Sequence, residues 1–460
     1  MNHSNDSPLK IDQAYIMKTI DDAEAQLNAC FEILKTLRTG ITEELSFLNF
    51  QPSLADTLFK LMSVYKKVCA EEKVLINTKN KMQKSDFASS IKKVHKFKRV
   101  LNDTIDIGKM LGDSFVWLFY NENQEELYKH LNHQPVGLFV AGVGGQGEIE
   151  FIRQTPMLYG CLVLYHGITS MLRVGDFSLY AFNHGIIANG ELKTEKNGSN
   201  LEIKAYISSK YNLDADTFKP ENQTVDANVF QIDRLLRQLS AMDDLLKKQK
   251  IDHKANCFRD NNVDFELPST PNRMSYKISK DNSLITSILE IKESKLSERF
   301  FLNEEDVDLC LDEAGPYAER LLVQGSSNNQ FYLTSIDGKS YPTRVPLFWW
   351  NADIDFLKDV IFKKTIMMTV FNPAKFFNYY KDKGFEICNS TGPKNVSLEK
   401  TIDGKQMVIG NLYMFFDMIS YSFMTVENII EMVDPIIIKS LEMGEHGGGT
   451  INIVPHQRFR

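Results

Sequence analysis

Apolar residues recur every three or four positions along the first part of the chain, from about residue 11 to residue 120. The first such stretch includes Ile16, Ile20, Ala23, Leu27, Cys30, Ile33, Leu34 and Leu37. An α-helix has about 3.6 residues per turn, so this spacing predicts amphipathic helices. No glycine or proline interrupts residues 53–107, and Ser53 is a favourable N-cap residue. The pattern therefore predicts long antiparallel helices or a short coiled coil.

Near residue 135 the apolar pattern changes from helical to extended. The glycine-rich stretch 142–147 precedes a predicted short helix, Glu148–Gln154, whose end is limited by Pro156. Turn sequences at Asn183–Gly185 and Asn197–Ser199 predict β-hairpins. The predicted strands are Leu162–Tyr165, Thr169–Tyr180, Ile186–Thr194 and Leu201–Ser208, and a helical pattern returns at Asp233–Lys250.

Further along, polar residues with two prolines predict a linker at 256–280. The pattern after it mixes both periods, with helices expected at Ser283–Lys295, Asp353–Phe362 and Leu412–Met432 and strands at Tyr332–Ile336 and Val370–Phe371. The chain thus divides into three predicted parts. These are a helical region at 1–120, an α/β core at 121–260 and a mixed α+β domain at 261–460.

Composition places the chain among ordinary globular proteins, with 43% hydrophobic and 25% charged residues. No apolar run approaches the roughly 20 residues needed to span a bilayer, and the polar N-terminus lacks the apolar segment of a secretory signal. The six cysteines lie far apart, without a CxxC pair, which is typical of reduced thiols. We therefore expect a soluble cytoplasmic protein with no membrane partner.

The charge is unevenly distributed along the chain, whose net charge is −7. Residues 60–99 contain twelve lysines and arginines but only three acidic residues, Glu71, Glu72 and Asp86. Such a basic stretch is suited to a nucleic-acid backbone, because neutralising phosphates releases counterions. A solvated lysine-rich helix face is the alternative, and both interpretations stay open.

The residues that carry chemistry lie on the predicted hairpin that follows residue 169. Asp176 ends one predicted strand, and Glu191 and Lys193 lie on the returning strand. Residues two apart on a strand share a face, and the turn brings Asp176 towards them. Two carboxylates supply the hard oxygen ligands that Mg²⁺ prefers, and a neighbouring lysine can orient a water and stabilise negative charge on phosphate. These residue types are those of a phosphodiester hydrolase.

This arrangement resembles the PD-(D/E)XK (restriction-endonuclease-like) nuclease superfamily in residues 145–245, with Gly175 in place of the proline. The resemblance implies a mixed sheet flanked by helices and a Mg²⁺- or Mn²⁺-dependent endonuclease, and we expect its substrate to be DNA rather than RNA. It assigns catalysis to Asp176, Glu191 and Lys193 and the metal to the two acids. Families of this type often add an upstream glutamate and polar residues on a later helix. The candidates here are Glu148 and Glu150, with Glu150 preferred, and Gln231, Arg234 and Gln238.

Nucleic acid is accordingly the expected partner. A nuclease centre beside helical and unassigned domains, with no helicase or methyltransferase motif, is similar to effectors of anti-phage defence. That similarity also leaves a second copy of the chain, or a defence-system protein, as a candidate partner.

Two other functions remain open. A non-catalytic interaction protein would keep the same core as an inactive relic. A dinucleotide-binding protein would use the GxGxxG pattern of Gly142–Gly147, although Pro156 cuts the following helix and the ribose-binding acid is missing.

Other conspicuous residues are given structural roles. The acid-x-lysine triplets at Glu202 and Glu290 lack an aspartate at hairpin distance. Asp113 is expected to start or cap a helix turn. His166 and His184 are expected in turns or at the surface, and Trp349 and Trp350 in a core or an interface.

Overall fold

The computed structural model describes most of the first 209 residues and several later segments. The residues described are 12–39, 46–130, 133, 142–181, 184–197, 200–209, 274–278, 284–290, 295–301, 332–336, 346–350, 353–389, 396–402, 405–410, 412–422, 426–427, 429–431 and 434. They belong to two compact units. The first is drawn from Met1–Ile251, Glu293–Leu302 and Gly338–Trp349, and the second from Asp252–Lys292, Asn303–Asp337 and Trp350–Arg460.

Helices open the first unit, which confirms the predicted N-terminal helical region. In chain order they are α1 (Gln13–Thr39), α2 (Phe50–Thr78), α3 (Lys84–Tyr120), α4 (Gln124–Lys129) and α5 (Val143–Gln154). The first three pack on one another through the apolar faces that the periodicity predicts, including Leu27, Leu58 and Leu101. Ser53 is not the N-cap of α2. A 3₁₀ turn at Ser46–Asn49 leads directly into the helix, and Pro52 fits its first turn, where a proline costs no hydrogen bond.

The second half of α3 is buried on every side. All residues from Ile107 to Tyr120 are shielded from solvent, including the polar Lys109 and Asp113. Asp113 therefore lies inside a long helix and neither starts nor caps one, contrary to the prediction. The apolar run Phe115–Tyr120 that follows Asp113 is typical of a helix that is buried on all sides by other elements.

A five-stranded antiparallel sheet follows α5. Its strands are β1 (Met157–Leu158), β2 (Cys161–Tyr165), β3 (Phe177–Ala181), β4 (Gly185–Asn197) and β5 (Asn200–Ser209), and they lie in chain order. The structure confirms the predicted strands at 162–165, 186–194 and 201–208. The predicted strand Thr169–Tyr180 is wrong for most of its length, because β3 begins only at Phe177. Buried side chains of other elements bind the backbone between residues 167 and 174 instead.

Helix α5 packs against one face of this sheet. Phe151 lies in one apolar cluster with Phe177 and Leu192, and the rings of Phe151 and Phe177 are 5.2 Å apart. The approach is close: a Cβ at Gly147 would lie 2.0 Å from the Thr194 hydroxyl. The helix leads into antiparallel strands, whereas a dinucleotide-binding glycine loop lies within a parallel βαβ unit.

The second unit also combines helices and strands. One sheet has the order β6 (Met274–Ile278), β7 (Leu284–Glu290), β9 (Thr365–Phe371) and β8 (Tyr332–Ile336), and a second contains β10 (Glu386–Asn389), β11 (Val396–Ile402) and β12 (Lys405–Ile409). Its helices are α6 (Ile354–Ile361), α7 (Ala374–Asp382) and α8 (Leu412–Ser422).

Two predictions for this unit are wrong. Leu284–Glu290 is a strand rather than part of a helix, since it pairs with β9 along its whole length. It also contains three β-branched residues, Ile285, Thr286 and Ile288, which favour strands. Met274–Ile278, assigned to a linker, is a strand paired with β7. The polar residues and prolines nearby predict a linker here, whereas the strand is stabilised by its pairing with β7, which the local composition does not reveal.

The described residues confirm a mixed helix-and-strand protein. The three-part division at residues 120 and 260 stays a prediction. Among the described residues, no helix combines the length and apolar character required to cross a membrane.

Candidate functional site

Asp176 lies at the junction between the loop after β2 and the start of β3. Its backbone N–H donates to the Gly190 carbonyl at 2.8 Å, and Phe177 pairs with Gly190. Continuing this antiparallel register places Asp176 level with Glu191. The Asp176 carboxylate also accepts a 2.6 Å hydrogen bond from the backbone N–H of Leu192. The side chain thus continues the β3–β4 ladder beyond the end of β3.

Glu191 and Lys193 project from the same face of β4. Both side chains are more than half exposed, and the Lys193 ammonium donates to the Glu191 carboxylate. Leu192 lies between them on the opposite face and is buried against α5. The predicted sharing of a face is therefore confirmed for this pair, and the strand alternation explains it.

Glu148 reaches Asp176 from the α5 side. It lies in the first turns of α5, is partly buried and accepts a hydrogen bond from the Tyr165 hydroxyl. Glu150 instead lies on the outer side of α5, where it contacts Gln154 at 2.5 Å and Arg153 at 3.5 Å. Of the two candidates for an upstream acid, Glu148 rather than the expected Glu150 is therefore directed towards the sheet. Two helix positions turn a side chain by about 200°, so only one of the two glutamates can face the sheet.

Burial and like charge act together on the carboxylates at this site. The pKa of Asp176 is raised by burial and by the nearby Glu191 carboxylate, against a lowering by the Leu192 N–H. The pKa of Glu148 is raised by burial and by Asp176, and its hydrogen bond from Tyr165 opposes that rise. A site that leaves carboxylates short of compensating positive charge is one that a cation would stabilise.

Buried charged residues of α3 hold the loop that delivers Asp176. Asp113 accepts from the backbone N–H of Ser170 at 2.8 Å and of Met171 at 3.0 Å, and from the Ser170 hydroxyl. Lys109 donates to the carbonyls of Gly167 at 2.6 Å and Thr169 at 2.9 Å. Burial lowers the pKa of Lys109 to about 8 and raises that of Asp113 to about 6. These side chains replace the strand pairing that the loop lacks.

Two buried histidines complete the support of the same loop. His130 Nδ1 accepts from the backbone N–H groups of Arg173 at 2.8 Å and Val174 at 3.1 Å. His166 Nδ1 is 3.0 Å from the Gly175 carbonyl, and its Nε2 is 2.6 Å from the Ser178 hydroxyl. Burial lowers the pKa of His130 to about 4 and that of His166 to about 3, so both rings are neutral. His166 begins a 3₁₀ turn, but it is fully buried and is not a surface residue.

The donor set at Asp176 and Glu191 is chemically suited to a hard cation. Within the described part of the chain, one oxygen of each carboxylate has no hydrogen-bond partner, namely Asp176 Oδ1 and Glu191 Oε2. The same residues contain no group of three His, Cys, Asp or Glu side chains arranged to hold a metal. Mg²⁺ fits such a two-carboxylate site, since it usually keeps several waters and binds one or two carboxylates together with substrate phosphates.

The remaining sequence candidates lie elsewhere. Gln231, Arg234 and Gln238 fall outside the described residues. His184 is exposed in the turn before β4, and Trp349 and Trp350 are buried, as expected. Sequence reasoning missed Lys109, His130 and Tyr165. The one available signal was a charged residue within an apolar helical pattern, which Lys109 and Asp113 both display.

Comparison of the chain with protein-family models, with curated proteins and with solved structures finds no match.

Proposed function

We propose that the protein is a metal-dependent nuclease that hydrolyses phosphodiester bonds, with its centre at Asp176, Glu191 and Lys193. The observation that carries the proposal is the register of β3 and β4. Its first pair is Phe177 with Gly190, so continuing it by one residue brings Asp176 level with Glu191, and Lys193 lies on the same face as Glu191. The proposed substrate is DNA in preference to RNA, as the resemblance to the PD-(D/E)XK superfamily implies.

The order of elements around the centre supports a restriction-endonuclease-like core. A helix carrying an acid, α5, precedes an antiparallel hairpin whose first strand follows Asp176 and whose second strand contains Glu191 and Lys193. Glu148 takes the place of the upstream acid, because it is close enough to Asp176 for that charge to raise its pKa, while Glu150 contacts Gln154 and Arg153 instead. The full mixed sheet and its later helix are part of this proposal.

Each residue has a role that follows from its surroundings. Asp176 and Glu191 would hold Mg²⁺ or Mn²⁺ through the carboxylate oxygens that are left free. When bound, the metal would polarise the phosphate and lower the pKa of a coordinated water. Lys193 is exposed and cationic, so it can leave Glu191, orient the attacking water and stabilise charge on the phosphate. Glu148 is held by Tyr165 close to Asp176 and adds negative charge at the same point.

The test is cleavage of plasmid, linear and single-stranded DNA and of RNA with Mg²⁺, with Mn²⁺ and with EDTA. Asp176→Asn and Glu191→Gln should abolish cleavage, because each loses a negatively charged ligand. Lys193→Met should lower the rate by about a hundred- to thousand-fold, the usual cost of removing one pre-organised electrostatic group. Lys193→Met should still bind Mn²⁺, since lysine is not a ligand.

Lys204→Met is the matched control for Lys193→Met. Lys204 is level with Lys193 on β5, is similarly exposed and also pairs with glutamate side chains. It should leave the rate unchanged. Cleavage that survives Asp176→Asn, or that proceeds in EDTA, contradicts the proposal. A folded wild-type protein that cleaves none of these substrates favours the non-catalytic interaction protein instead.

A further inference from the structure

The strongest positive charge in the described residues lies on the hairpin formed by α2 and α3. Residues 60–99 carry twelve basic and three acidic residues in a chain of net charge −7. Seven of the lysines are exposed and form no ion pair with any described residue: Lys60, Lys67, Lys73, Lys79, Lys81, Lys84 and Lys92. Of the acids, Glu72 is already engaged by Lys98 at 2.7 Å and by His95 at 3.1 Å.

Five of these lysines gather at the far end of the hairpin. Lys79 and Lys81 lie in the connection between the helices, and Lys84 begins α3. With a rise of about 1.5 Å per residue, Lys73 lies roughly 8 Å before the end of α2, and Lys92 lies roughly 12 Å into α3. The five charges therefore occupy about the last 12 Å of the hairpin, which we call the hairpin end (residues 73–92).

The hairpin end carries a net charge of +4, which is opposite in sign to a nucleic-acid backbone and somewhat more than half its charge density. Duplex DNA carries one negative charge per about 1.7 Å of its axis, so about 12 Å of duplex presents roughly seven phosphates. Asp86 is the one acidic residue within residues 73–92. Mutual repulsion between unpaired lysines is relieved when they neutralise phosphates and release counterions.

The exposed apolar surface here is too small for a membrane-binding helix. Val74 and Ile76 are each 54% exposed, but Phe87 is half-buried with Lys79 5.5 Å from its ring centre. Helices that lie in a membrane interface present a broad apolar face rich in Trp, Phe or Leu. The charge, rather than the two aliphatic side chains, dominates the surface.

The hairpin also contacts the elements of the candidate site through an ion pair. Asp56 of α2 accepts two hydrogen bonds, at 2.7 and 2.8 Å, from Arg153 of α5, the helix that carries Glu148. Along α2, the 23 residues from Asp56 to Lys79 span about 35 Å, which is about one turn of duplex DNA. A duplex bound at the hairpin end therefore needs to extend by only about one turn to cover the distance to a site near α5.

We infer that the hairpin end is a sequence-independent binding surface for the phosphate backbone of double-stranded nucleic acid. The inference deepens the proposed function, on which it rests, by naming the surface that holds the substrate. Lys73, Lys79, Lys81, Lys84 and Lys92 contact phosphates, and base pairs play no part in the recognition.

The experiment measures binding in EDTA, so that it does not depend on cleavage. The full-length protein is titrated against a fluorescent DNA duplex about three turns long, roughly 30 base pairs, over a range of salt concentrations. One variant changes the five lysines of the hairpin end to glutamine. A matched variant changes five exposed lysines elsewhere to glutamine, namely Lys18, Lys129, Lys196, Lys375 and Lys381.

The hairpin variant should bind at least about tenfold more weakly at moderate salt, and the slope of log affinity against log salt should fall by about four. The matched variant, with the same change in net charge, should bind like the wild type. A third variant with arginine at the five hairpin positions should retain the affinity. Equal losses of affinity in the two glutamine variants would overturn the inference. So would an unchanged affinity in the hairpin variant, provided that its melting temperature is unchanged. So would tighter binding of the wild type to phosphatidylserine vesicles than to the duplex. If the wild-type protein binds the duplex through the hairpin end but cleaves no substrate, the result supports the binding surface and contradicts the proposed nuclease activity.

Discussion

His130 makes the stability of the first unit depend on pH in a way that can be calculated. Its ring is buried, and its Nδ1 accepts hydrogen bonds from two backbone N–H groups of the loop that precedes Asp176. Burial lowers its pKa from 6.5 to about 4, and the nearby His133, Arg173 and Lys129 add to the lowering while Glu126 opposes it. A proton on Nδ1 would also remove the acceptor on which Arg173 and Val174 depend.

The sign follows from the protons bound by each state. Above pH 6.5 the ring is neutral in both the folded and the unfolded protein, and it adds no pH dependence. As the pH falls below 6.5, the ring becomes protonated in the unfolded state but stays neutral in the folded state until about pH 4. Stability is therefore lost across this window, by about 2 kcal/mol at pH 5 and about 3 kcal/mol in total.

The comparison that isolates this residue is His130→Gln, whose amide oxygen can accept a backbone N–H but does not titrate. Unfolding by urea, followed by the fluorescence of buried Trp117 and Trp349, gives the free energy of unfolding at pH 7 and pH 5. The variant should be less stable at pH 7, because it packs less well, and this deficit should shrink by about 2 kcal/mol at pH 5. Thr104→Ala removes a buried hydrogen bond, from the Thr104 hydroxyl to the Val100 carbonyl, without removing a titrating group, so its deficit should not shrink. A deficit for His130→Gln that is the same at both pH values refutes the reasoning.

Two further substitutions test the site and its support. Glu148→Gln should slow cleavage by about tenfold or more, because Glu148 is the glutamate that interacts with Asp176. Glu150→Gln, whose side chain contacts Arg153 instead, should leave the rate near that of the wild type. Equal cleavage rates for the two variants would contradict this. Gly112→Ala should lower the free energy of unfolding by at least about 1–3 kcal/mol in thermal or urea denaturation, since its Cβ would lie 2.0 Å from a backbone carbonyl oxygen. Gly144→Ala, which meets nothing within 4 Å, is the control and should not destabilise.

The parts of the fold that could be predicted are those specified by local periodicity. The long helices α2 and α3 follow from uninterrupted apolar spacing, and β4 and β5 follow from alternation bounded by turn sequences. The pairing of Glu191 with Lys193 on one face follows from the same alternation. In these cases a residue's neighbours in the chain are also its neighbours in space.

The parts that failed depend on residues distant in sequence. Thr169–Val174 reads as a strand, but Asp113 and His130, more than 40 positions away, bind its backbone as a loop. Leu284–Glu290 reads as a helix, but its partner strand β9 lies about 80 positions further along. Glu148 could not be chosen over Glu150 either, because the choice depends on which side of α5 meets the sheet. No local pattern in one sequence contains that information.

The buried polar residues of α3 also bear on how the candidate site keeps its shape. A loop covered by a buried helix must have its N–H and C=O groups satisfied, and Asp113 and Lys109 meet part of that requirement. Their cost in desolvation is visible in both pKa values, which move towards the neutral forms. In return the loop is bound at several points, from Gly167 to Gly175, just before the backbone reaches Asp176. A carboxylate on a free loop would have to be ordered by its ligand, at a cost in binding, whereas Asp176 is held in place beforehand by contacts that involve neither Glu191 nor Lys193. Substitutions in the α3 support should therefore affect stability and metal affinity together, whereas changes at the exposed Lys193 should leave stability unchanged.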